Sequence, residues 1–136
     1  MRKPTIAVVI LLAILFVGFL AIGPGHRRKA RSFAKQVQQT AAATQIQDWA
    51  LGQIELAEGG RMELDSLPSF LDMPNDGLPN YAHVEPNSGQ PYLVAQWGGG
   101  FGHWGLLVGS QSLKYPIEDH FHIEWAPGVY IWHEIQ

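Results

Sequence analysis

Cysteine is absent from the 136 residues, which removes disulfide frameworks, thiolate zinc sites, cysteine nucleophiles and cysteine-held iron–sulfur clusters. Acidic residues are missing from the first 35 positions and basic ones are scarce afterwards: beyond Lys35, only Arg61 and Lys114 stand against all 12 carboxylates. A body with ten more acidic than basic residues repels a phosphate backbone, so nucleic acid is not an expected partner. No nucleophile elbow, Walker loop, His-Glu-x-x-His or EF-hand loop occurs, and there is no internal repeat. The length allows one small domain and an appendage, not a multidomain enzyme.

What is present begins with an apolar run, IAVVILLAILFVGFLAI at residues 6–22. A run of that length and composition predicts a transmembrane helix, because a helix satisfies its own backbone where no water is available. Met1-Arg2-Lys3 also resembles the positive start of a signal peptide. The run is long for a signal, however, and Ala21-Ile22-Gly23-Pro24-Gly25 offers no A-x-A cleavage site, so a retained anchor over residues 1–25 is preferred. Arg27, Arg28, Lys29, Arg31 and Lys35 follow it and would face anionic headgroups, making the lipid bilayer a partner. Their number favours a single-pass membrane protein with a cytoplasmic C-terminal domain.

Pro24-Gly25 breaks the helix, after which residues 26–60 lack proline and are rich in Ala and Gln. One amphipathic helix is predicted there, from Lys29 to about Ala57. Phe33, Val37, Thr40, Ala41, Thr44, Leu51 and Ile54 form one stripe, while Ile46, Trp49 and Leu56 lie on another side. Gly59-Gly60 stands where a left-handed cap would end the helix. Residues 61–91 carry five prolines with Asn75-Asp76-Gly77 and Asn87-Ser88-Gly89, which predicts a loop-rich connector. Its Leu67, Phe70, Leu71 and Leu78 should fold onto the core.

Residues 92–136 read as strands at Tyr92–Trp97, Trp104–Gly109, Phe121–Ala126 and Val129–Ile135. Two hairpins in a meander of about four antiparallel strands, covered on one face by the helix, give an α+β domain.

His120, His122 and Glu124 alternate along one strand and so share a face. With Pro127-Gly128 as a symmetric turn, Ala126 pairs with Val129 and His122 falls opposite His133. Three imidazoles from His120, His122 and His133 would then suit zinc or another divalent ion. Glu124 or Glu118 would serve as general base in a tethered metal-dependent hydrolase. No other cofactor is expected. The same register gathers Phe121, Ile123, Trp125, Tyr130 and Trp132 on the reverse face as core.

Gly100-Phe101-Gly102-His103-Trp104-Gly105 matches G-x-G-x-x-G, but Trp104-Gly-Leu-Leu-Val continues as a strand. A dinucleotide loop needs a helix there, so a glycine-rich hairpin is predicted instead. Trp97, Phe101, His103 and Trp104 around that hairpin form a candidate contact patch for a protein partner or for self-association.

A long N-terminal helix, apolar then amphipathic, leading to a small antiparallel sheet resembles the layout of type IV pilins and pseudopilins. The resemblance implies an assembly subunit. Pro4-Thr5-Ile6-Ala7 lacks that family's processing site and glutamate, and Pro24-Gly25 interrupts its continuous helix, so no residue role is transferred. The expected function is a binding or assembly module, with the metal-dependent hydrolase and the pilin-like subunit as alternatives.

Overall fold

The computed structural model describes residues 3–22, 25–56, 60–86, 89–99 and 102–135. Three helices, α1 (Lys3–Ile22), α2 (Gly25–Thr40) and α3 (Ala43–Leu56), precede six strands. These are β1 (Gly60–Arg61), β2 (Tyr81–Glu85), β3 (Tyr92–Gly99), β4 (Gly102–Gly109), β5 (Phe121–Ala126) and β6 (Val129–Ile135). All pairings are antiparallel and the order is β1-β2-β3-β4-β6-β5. The α+β class holds. The two hairpins form as predicted, but the sheet is no simple meander: the segment after β4 carries the chain past the β6 position, leaving β5 outermost.

The expected membrane anchor is overturned. Among the described residues no helix is long and apolar enough to cross a membrane, which removes the basis for the single-pass placement and its cytoplasmic orientation. The side chains described in α1 are those of residues 6–17. All of them are exposed. Of the basic cluster, Arg27, Arg28, Arg31 and Lys35 are exposed and Lys29 is partly covered. Lys29 reaches Asp76 at 3.0 Å and lies 4.0 Å from the Trp104 ring centroid, while Arg27 sits over Phe121 at 5.5 Å.

The predicted single helix is two. Thr40 directs its hydroxyl back to the carbonyls of Gln36 and Val37, at 3.0 and 3.1 Å, and the chain turns at residues 41–42 before α3 starts. Each helix then buries its own stripe: Ala30, Phe33, Ala34 and Val37 from α2, Ile46 and Ala50 from α3. Both lie on one face of the sheet, over Val84, Leu93, Ala95, Leu106, Val108, Val129 and Ile131. Gly60 belongs to β1 rather than to a helix cap, and Gly59 lies outside the described residues.

The connector folds onto this core through Leu71 and Met73, both buried, with Leu67 and Phe70 packed beside them; Leu78 is exposed. It also contains an unpredicted strand. In β2, Ala82 and Val84 point to the helices while Tyr81, His83 and Glu85 are only partly covered. That is the period-2 pattern of a half-buried strand, written with too few large apolar residues to stand out between Pro79 and Pro86.

Candidate interaction surface

Among the described residues, the other face of the sheet carries no helix. It gathers Val94, Leu107, Tyr130 and Trp132, and the segment between β4 and β5 lays Leu113, Tyr115 and Ile117 across them. Tyr130 fixes that segment by donating its phenol to the Leu113 carbonyl at 2.6 Å.

At the β5 side, this face ends in a cluster of rings. The Tyr115 ring stacks on His122, with centroids 4.0 Å apart and planes at 14°. His120 stacks on Trp132 at 5.1 Å and 21°. The Tyr115 hydroxyl lies 2.8 Å from His120 Nδ1, and His120 Nε2 lies 3.5 Å from a Glu134 carboxylate oxygen. Burial, reinforced by the Glu134 carboxylate and by Tyr92, raises the Tyr115 phenol well above its ordinary value. The phenol therefore stays protonated and can donate to Nδ1 of the His120 tautomer that carries its proton on Nε2. Tyr130 is also raised, by burial and then by Glu124. Of these rings, His122 is exposed and Tyr115 half-exposed, whereas Trp132 is buried.

The predicted metal triad does not assemble. Ala126 does face Val129, but a bulge between Glu124 and Ala126 shifts the strand, so His122 faces Trp132 and Phe121 faces His133. One extra residue sends every later pairing to the other face. His120 and His122 thus share the helix-free face, while His133 is buried on the helix side near Trp104, with ring centroids 6.3 Å apart. Among the described residues no three His, Cys, Asp or Glu side chains are placed to hold a metal ion. The same shift moves Tyr130 and Trp132 out of the predicted core group and onto the histidine face.

The predicted hairpin patch is also divided. Trp97 is 1% exposed; its ring packs against Phe33 at 4.8 Å and its N–H donates to the Gly77 carbonyl at 2.7 Å. Trp104, its cross-strand partner, lies on the same helix side beneath Lys29. His103 is on the opposite face, 3.1 Å from the Gln96 amide. Phe101 lies outside the described residues. The G-x-G-x-x-G segment continues from Gly102 as β4, so no helix N-terminus stands there for a phosphate.

Tyr115 was not legible as a member of the histidine surface, whereas Glu134 was expected beside the histidines and lies 3.5 Å from His120. The alternation His120-Phe121-His122 was the available signal, and it correctly placed those two imidazoles together.

The remaining feature is an edge. β5 pairs with β6 on one side only, and among the described residues no strand pairs with its outer side. No family model, curated protein or solved structure matches the chain.

Proposed function

We propose that this chain is a protein-interaction module whose contact surface is the outer edge of β5 with the Tyr115–His122 surface beside it. One observation carries the reading: a complete six-residue strand lies outermost in the sheet, and among the described residues no strand pairs with its outward N–H and C=O groups. Such an edge is a template for an added strand, in which main-chain hydrogen bonds supply affinity and alternate side chains supply selectivity. Here the alternate side chains are His122 and Glu124 on one face and Phe121 and Ile123 on the other. Among the described residues the β1 end of the sheet offers two residues.

The test selects displayed random linear peptides on the immobilised full-length chain and maps the enriched sequences by amide hydrogen exchange. Protection of the amides of residues 121–126 is expected. Protection confined to other elements, or no enrichment on a chain whose amides at residues 121–126 exchange freely, would overturn the proposal.

A further inference from the structure

The β5 edge is compatible with itself. Its sequence, FHIEWA, contains neither proline nor lysine, the residues with which natural edges commonly block addition. Phe121 and Ile123 face the helix side with His133 and Ile131, and Trp125, at the bulge, packs against the same core; His122 and Glu124 face the other way. A second copy placed antiparallel, related by a two-fold axis normal to the sheet, must pair residues of the same face. It can do so about any one strand residue.

The side chains choose among these registers. Centring on Glu124 opposes two carboxylates, and centring on His122 opposes two imidazoles; like groups directly opposite are unfavourable when charged. Centring on Ile123 places Ile123 against its own copy, His122 against Glu124 twice and Phe121 against Trp125 twice. Every direct pair is then apolar, aromatic or an imidazole with a carboxylate, each favourable across a strand pair.

We infer that the partner for β5 is a second copy of this chain, joined through β5 in the register centred on Ile123 to make one continuous sheet. The inference rests on reading the β5 edge as the contact surface. The dimer leaves both helix layers on one side and both Tyr115–His122 surfaces on the other.

Because the sequence holds no cysteine, Ile123→Cys introduces a single thiol at the proposed axis. Facing residues in an antiparallel pair have Cα atoms roughly 4.5–5.5 Å apart, within disulfide reach. Under mild oxidation the full-length Ile123→Cys chain should form a disulfide-linked dimer about tenfold faster than an exposed control, Gln111→Cys, through its higher effective thiol concentration. A second measurement guards against misfolding at position 123. His122→Glu, which opposes two carboxylates, should reduce the dimer in sedimentation, and the exchange His122→Glu with Glu124→His should restore it. Equal crosslinking at 123 and 111, or a swap that fails to restore the dimer, would overturn the inference. If linear peptides still protect β5, only the second-copy partner fails; if they do not, the interaction-module reading fails with it.

Discussion

A Cβ at Gly105 would run into the backbone of Ala95 on the neighbouring strand, its carbonyl oxygen first and its carbonyl carbon at 3.0 Å. Backbone within a paired strand cannot step aside as a flexible side chain would. Gly105→Ala is therefore expected to lower stability by about 1–3 kcal/mol, the usual range for overpacking. Gly99→Ala, where nothing lies within 4 Å, should change it by less than about 0.5 kcal/mol. Urea midpoints with unchanged slopes would check both. At this scale the sequence was partly legible. Alternation placed His120 with His122 correctly and reversed His133, because a bulge at Trp125 leaves no mark in composition. Two prominent tryptophans looked like a contact patch, yet cross-strand pairing put Trp97 and Trp104 on the helix side, where burial stabilises the fold.

Between elements, Gln47 joins α3 to two turns of the sheet. Its amide nitrogen donates to the Gly109 and Pro127 carbonyls, both at 2.9 Å, and its side chain is buried. Beside it Gly128 adopts φ 79°, the left-handed region that favours glycine, so the helix sits directly on the β5–β6 turn. Replacing Gln47 by Leu would keep the approximate volume and leave two carbonyls without this donor. A loss of about 1–3 kcal/mol is expected, the usual cost of an unsatisfied buried polar group. Hydrogen exchange should show the loosening first at residues 109 and 128. The elements themselves were unevenly legible. The four large strands were written in β-branched and aromatic residues, whereas β2 was written in YAHVE and missed. The break between α2 and α3 carries no glycine or proline. Its trace was the pair of hydrophobic stripes that one helix could not bury together.

For the molecule as a whole, composition and periodicity carried the α+β class, and the split of charge is reflected in α2, whose Lys29 meets Asp76. The topology was not legible, since β5 reaches the edge through a connection with no regular pattern. That architecture sets how stability responds to pH. His83 lies in β2 between Arg61 of β1 and Val94 of β3, with Nδ1 buried and unpartnered. Burial lowers its pKa below the ordinary 6.5, partly opposed by Glu85. The unfolded chain therefore takes up a proton that the folded one resists, so stability falls as pH drops from about 6.5 toward the lowered folded value. Tyr115 acts at the other end: its raised phenol stays protonated while the unfolded phenol ionises from about pH 10, so stability falls as pH rises beyond that point. His83→Gln should flatten the acid limb of a plot of urea midpoint against pH and leave the alkaline limb in place. Tyr115→Phe should make the alkaline limb shallower, the raised Tyr92 and Tyr130 phenols sustaining the rest of it, and leave the acid limb in place. If either substitution flattened both limbs, or neither, the two groups would not be the source of the pH dependence.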